Sequence, residues 1–188
     1  MGNLTYPELF EYISEKLIIP FYQLRLDRLQ ELRLNDVLKR KNPYLFKAKN
    51  ITTAQDLVTE ILQAHLSSQE ETVFGNYLED LAIFICSKVY GGFKSSAAGI
   101  DLEMDSHPDK GDYLKLCGQA FWSLISGDDD LYVRIIEPLG EEAKQKDEVF
   151  KDAYSKKVNL LTAQFLNEFC TDGNIDWHQL LRFVSSRH

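Results

Sequence analysis

Residues 96–119 read SAAGIDLEMDSHPDKGDYLKLCGQ, and the fold turns on how they are taken. Small residues and Gly99 lead into Ile100-Asp101-Leu102-Glu103, which alternates apolar and acidic side chains as a half-buried strand does. Asp105-Ser106-His107-Pro108-Asp109-Lys110-Gly111 follows at once and reads as turn. This is the best strand in the chain, and the second strand expected beside it is absent. A lone pair of strands is marginal in water without further strands or helices over it. An acid at the end of a strand is a common place to hold a metal ion, so the stretch asks what Asp101 is for and where its partners are.

Outward from this stretch the pattern is helical. Leu24, Leu29, Leu32 and Val37 recur near helical spacing, with Pro20 near the start and Asn42-Pro43 as the stop. Thr53-Ala54-Gln55-Asp56 is a capping box ahead of Leu57, Val58, Ile61 and Leu62 on one face. Ser67-Ser68-Gln69-Glu70-Glu71 reads as a second helix start, leading into a long apolar helix that Gly91-Gly92 ends. Residues 112–126 return to helix. Ser126-Gly127-Asp128-Asp129-Asp130 is a turn and a new cap. Pro138-Leu139-Gly140 reads as a break before a long helix over 141–169, closed by Gly173. Asp176-Trp177 begins a short last helix through Phe183. No internal repeat and no low-complexity linker occurs.

At 188 residues the chain has the length of one domain, and 44% hydrophobic with 27% charged residues is ordinary for a globular protein. The expected division is a helical N-terminal part (1–66), a core (67–127) and a helical C-terminal part (128–188). No run approaches the roughly 18 apolar residues of a membrane helix, and the N-terminus lacks the pattern of a secretory signal. Cys86, Cys117 and Cys170 are odd in number and far apart, which points to reduced thiols and a cytoplasmic protein. The net charge of −8 argues against a protein that simply coats nucleic acid. It leaves room for a nuclease, because backbone phosphate responds to local charge.

Three features bear on chemistry. Side chains on a strand repeat with period two, so Asp101 and Glu103 share a face, and Glu79 lies on the preceding helix. Together they form a candidate oxygen-ligand set for a hard divalent ion; the plainer reading is a solvated strand face and an exposed helix acid. A hydrolytic carboxylate site also tends to need a lysine, spelled as an acid, any residue, then Lys. Glu142-Ala143-Lys144 alone has that spacing, inside a helical pattern where a surface ion pair explains it better. Asp109-Lys110-Gly111-Asp112 has the wrong spacing. The basic stretch Lys39, Arg40, Lys41, Lys47 and Lys49 carries no acid, and Tyr44 and Phe46 lie within it. In an acidic chain it marks a candidate phosphate-backbone contact, set against the alternative of a solvated helix end. Lys94, Ser95 and Ser96 add candidate phosphate contacts. The glycine-rich phosphate loops, the nucleophile elbow and the zinc-protease motif are absent. His65, His107, His178 and His188 are scattered without metal spacing, and Asp128-Asp129-Asp130 is an acidic turn rather than a calcium loop.

The strings NPYLFKAKNITTAQDLV (42–58), SSQEETVFGNYLEDLAIFICSKVYGGFKSSAAGIDLE (67–103), PDKGDYLKLCGQAFW (108–122) and IIEPLGEEAKQKDEVF (135–150) together resemble the PmeII-like family of type II restriction endonucleases. The blocks are collinear, and the likeness runs from about Leu34 to Phe183. That family is similar to the PD-(D/E)xK nucleases, which cut duplex DNA at short sites with Mg²⁺, usually as homodimers. The resemblance implies an α-rich α/β fold with a restriction-endonuclease-like core, a small central sheet flanked by helices. It implies Asp101 as the metal-binding acid, with Glu79 as a further metal-side acid and Glu103 assisting. Double-stranded DNA is the implied substrate. The implied companion is a DNA methyltransferase acting on the same site, with no stable complex.

The chain departs from the family after Glu103. There the family continues into a paired strand whose Ile-Lys-Ser-Gly-Pro segment supplies the catalytic lysine, with a helix and another strand before the PDKGDY string. Here Pro108 follows Glu103 within five positions. The lysine strand is missing and the sheet is truncated, which accounts for the shortage of strands. An internal deletion, an omitted segment and deliberate trimming all fit. Three functions stay open: a Mg²⁺-dependent restriction endonuclease, a catalytically inactive DNA-binding or dimerisation remnant, and a helical interaction module without a DNA role.

Overall fold

The computed structural model describes residues 4–98, 100–104 and 117–186. They group into two compact units. The first combines the N-terminal residues up to Tyr22 with Thr72–Asp147; the second combines Gln23–Glu71 with the residues from Glu148 on.

In the first unit, α1 (Tyr6–Tyr12) opens on a capping box. Thr5 Oγ1 accepts from the Glu8 amide at 3.4 Å, and Glu8 Oε2 accepts from the Thr5 amide at 3.1 Å, so two amides that a helix start leaves unpaired are satisfied reciprocally. A π-helical segment, Ile13–Ile18, leads into α2 (Ile19–Glu31). The Ile19 amide donates five residues back, to Ser14 O. This wide turn comes directly before Pro20, which has no N–H to continue an α-helical ladder.

Helix α5 (Ala54–Tyr90) supplies the first unit with its C-terminal half. Leu81, Ala82, Ile85 and Cys86 are buried there, as are Leu9, Ile13 and Leu17. Full burial of an aliphatic side chain of this size stabilises by about 1.5–3 kcal/mol. Tyr12 stacks on Phe84 with ring centroids 4.0 Å apart, and Phe21 meets Phe74 edge-on at 5.2 Å. Helices α6 (Gly118–Ser126) and α7 (Leu131–Arg134) and the first turns of α8 (Ile136–Phe169) complete the unit. Gly127, at φ +69°, ends α6. The Asp130 amide donates to Asp128 Oδ1 at 3.0 Å, so the acidic run is a side-chain-stabilised turn, as its composition predicts.

In the second unit, Leu57, Val58, Ile61, Leu62 and Leu66 of α5 are buried in one helical stripe, and Val158, Leu161, Phe165 and Phe169 of α8 form another. The predicted cap holds: the Asp56 amide donates to Thr53 Oγ1 at 3.1 Å. Helices α3 (Leu34–Leu38) and α4 (Pro43–Ala48) are short. Asn42 caps α4, accepting from the Tyr44 amide at 3.0 Å. Pro43 therefore starts a helix as well as ending one, since proline tolerates the first turn.

Several expectations need correction. The run from Leu24 to Val37 is interrupted at 32–33 and forms the end of α2 and all of α3. No helix begins at Ser67: α5 runs through, and the Ser67 hydroxyl donates to Gln63 O at 2.9 Å, spending its capping capacity inside the helix. The side chains of Ser68 and Gln69 lie outside the described residues. Pro138 does not break the chain but sits in the first turn of α8. Gly173 closes a hairpin rather than the helix. Strands β3 (Cys170–Thr171) and β4 (Asn174–Ile175) pair antiparallel, and Asp172 and Gly173 both take positive φ, +50° and +77°. Those angles are what a two-residue hairpin turn of matching twist demands.

The strand expected over 100–103 is shorter. Strand β2 is Leu102–Glu103, paired antiparallel with β1 (Phe93–Lys94) in the register Phe93↔Glu103 and Lys94↔Leu102. Asp101 stands just before it. The described residues are thus helix-rich, with two small two-stranded sheets, as the α-rich reading expects. Gly99, the turn over 105–111, His107, the Asp109-Lys110-Gly111-Asp112 run, the start of the helix expected from 112, and His188 lie outside the described residues. Among the described residues no helix is long and apolar enough to cross a membrane.

Candidate carboxylate site and basic surface

The first unit holds a cavity of about 260 Å³. Its helical wall is Gly75, Leu78, Glu79, Ala82 and Ile83 of α5. The spacing of three, four, seven and eight residues sets these on one face. Asp101 and Leu102 form a second wall, and Phe121 and Trp122 of α6 a third. Two of the acids singled out from sequence, Glu79 and Asp101, therefore face one space although they stand 22 positions apart in the chain.

Glu103 does not line this cavity; its carboxylate accepts from the Ser95 hydroxyl. Ser95 Oγ in turn accepts from the Ala97 amide at 3.0 Å. Ser96 is exposed. The strand pair is held close against α5 at Gly92. A Cβ there would collide with Cys86 Sγ and stand 2.9 Å from Glu103 O, so only glycine fits.

Lys94 links the pieces. Its Nζ lies 2.8 Å from Glu79 Oε1. The pair holds the Lys94 ammonium above the ordinary lysine pKa, chiefly through its bond and charge attraction to Glu79, with Asp80 and Asp101 adding to it. Sequence spacing missed this lysine because it stands before the acidic strand rather than two positions after an acid. Glu142, the acid of the one correctly spaced Glu-x-Lys, lies inside α8 and accepts from the Ser14 hydroxyl at 2.8 Å.

Two carboxylates suit a hard ion that keeps several waters and binds proteins through one or two acids. No group of three or more His, Cys, Asp or Glu side chains poised for a metal occurs among the described residues. Glu79 and Asp101, on two walls of the cavity, offer the two carboxylates that such an ion takes from a protein.

The basic stretch belongs to the second unit and is less uniform than its composition implies. Lys39 stands over the Phe183 ring at 5.5 Å and Lys47 over Trp177 at 5.2 Å, both aromatics on α9 (Trp177–Ser185). Lys49 pairs with Glu60. Arg40 is exposed and Lys41 half-buried. Together with Arg28 they depress the pKa of His65, after burial, which is the larger cause.

The family model of the type II restriction endonuclease EcoO109I matches residues 7–107 and 104–147. The chain belongs to that family. The two EcoO109I matches meet at 104–107, directly after the carboxylate-bearing strand. The carboxylate cavity lies wholly within them, as does the basic stretch. The C-terminal hairpin and α9, whose aromatics cover two of the lysines, lie beyond the EcoO109I match. No curated protein and no solved structure matches the chain.

Proposed function

We propose that the chain is a type II restriction endonuclease of the PmeII-like, PD-(D/E)xK kind, hydrolysing phosphodiester bonds of double-stranded DNA at a specific site with Mg²⁺. The observation that carries this reading is the shared cavity of Glu79 and Asp101 within the family match. Asp101 and Glu79 would hold the metal, and Lewis acidity at a phosphoryl oxygen is the chemistry Mg²⁺ supplies when bound. Glu103 orients the strand pair through Ser95. Lys94 places a positive charge beside the acids. Phe121 and Trp122 give the cavity an apolar third wall. Arg40 and Lys41 contact backbone phosphates, while Lys39, Lys47 and Lys49 around them are engaged with Phe183, Trp177 and Glu60, and the exposed Ser96 adds a hydroxyl. The chain acts as one nuclease-like domain on a restriction-endonuclease core. It works as a homodimer in the cytoplasm, beside a methyltransferase that protects the same site.

A second reading is a catalytically inactive DNA-binding or dimerisation remnant. The departure after Glu103 favours it, because the PmeII-like resemblance implies a lysine strand there and Pro108 follows within five positions. Digestion of phage DNA by purified, mass-verified protein, with Mg²⁺ and with EDTA, separates the two. Discrete Mg²⁺-dependent fragments establish the endonuclease. Uncut DNA with salt-dependent binding establishes the remnant. Uncut DNA without binding removes both and leaves a helical interaction module.

A further inference from the structure

The Lys94–Glu79 contact has a consequence for metal loading. The ammonium occupies Oε1 of one of the two acids that face the cavity. A lysine ammonium is a compact point charge, and a divalent cation at the same carboxylate would stand within a few ångströms of it. Like charges at that separation repel strongly enough to matter even in water. Lys94 is nevertheless easy to move: its side chain is 63% exposed, on a flexible stem at the end of a two-residue strand. Its backbone is pinned opposite Leu102, next to Asp101, so it remains beside the site after letting go.

We propose that Lys94 is a positioning residue that competes with the divalent cation for Glu79: in the metal-free chain it holds the carboxylate in place, and it must release Glu79 for the ion to bind. This rests on the carboxylate reading of the cavity. Lys94 thus supplies the cation that keeps two neighbouring acids tolerable when no metal is bound, and it sets a cost on metal entry.

The test is calorimetric titration of the full 188-residue chain with Mn²⁺ in fixed salt, comparing wild type, Lys94→Met, Lys94→Arg and Glu79→Gln. Lys94→Met should bind Mn²⁺ about three- to tenfold more tightly, a range set by the exposure of the pair. Lys94→Arg keeps the charge and should stay near wild type. In a Glu79→Gln background, Lys94→Met should lose most of its effect. Lys94→Gln serves as a second neutral variant against any folding defect in the first. Wild-type binding that is equalled or weakened in both neutral variants overturns the competition while leaving the carboxylate reading intact. Absence of Mn²⁺ binding in every variant overturns both.

Discussion

Lys94 Nζ lies 2.8 Å from Glu79 Oε1, joining the Lys94↔Leu102 pair of a short strand ladder to the C-terminal half of a long helix. It brings a lysine to a carboxylate from a direction that sequence motifs do not search, and it ties the strand pair beside Asp101 to the helix carrying Glu79.

Removing the acids should remove the chemistry. Asp101→Asn and Glu79→Gln are each expected to lower Mg²⁺-dependent DNA cleavage by about a hundredfold or more, since such a site depends on fixed charge at the reacting phosphate. Glu103→Gln should cost less, because Glu103 points to Ser95 rather than into the cavity. Initial cleavage rates on plasmid DNA decide it, and equal losses at all three positions would contradict the geometry.

Gly92→Ala should destabilise the first unit by about 1–3 kcal/mol, the usual cost of forcing a methyl group into a packed site. The added Cβ meets Cys86 Sγ and the Glu103 carbonyl, both on fixed backbone or buried. Urea unfolding measures the loss. An unchanged midpoint would mean that the strand pair does not sit against α5 as described.

The basic stretch should divide by role. Arg40→Ala and Lys41→Ala are each expected to weaken DNA binding and to reduce the slope of log K against log salt by about one. Lys39→Ala and Lys47→Ala remove contacts to Phe183 and Trp177 and should shift stability by about 0.5–1 kcal/mol. Binding isotherms at several salt concentrations, beside thermal melts, separate the two classes. The same salt slope for all four variants would show no such division.

Acid should loosen the N-terminal helix. The Glu8 carboxyl is held at about 2, first by the Thr5 amide and then by Lys88 and the Thr5 hydroxyl. A carboxyl lowered on folding stabilises above its ordinary value near 4.5 and loses that contribution as pH falls toward about 2. Glu8→Gln should therefore flatten the pH dependence of stability between about 4.5 and 2, seen in urea midpoints across that window. Identical slopes for variant and wild type would refute the assignment.

Much of the helical frame was legible because its signals are local. Thr53 and Asp56 cap α5 as their spacing predicts, and the apolar stripe behind them is buried. Where local signals compete, packing decides. Ser67 looks like a cap, yet the helix runs through it once its hydroxyl bonds to Gln63 O. Pro138 looks like a break but lies in a first turn, where its missing N–H costs nothing. The β3–β4 hairpin escaped notice because its strands are two residues long, too short for any alternation to register.

By itself the sequence determined the helix-rich class, the acids worth watching and the sign reversal around Lys39–Lys49, because periodicity, caps and charge are properties of neighbours in the chain. Only the tertiary structure decided that Glu79 and Asp101 face one cavity, that Glu103 turns to Ser95, and that Lys94 stands beside Glu79. Those relations depend on a glycine that lets a strand pair approach a helix and on the register of two short strands. Contacts between residues distant in sequence leave no spacing to read.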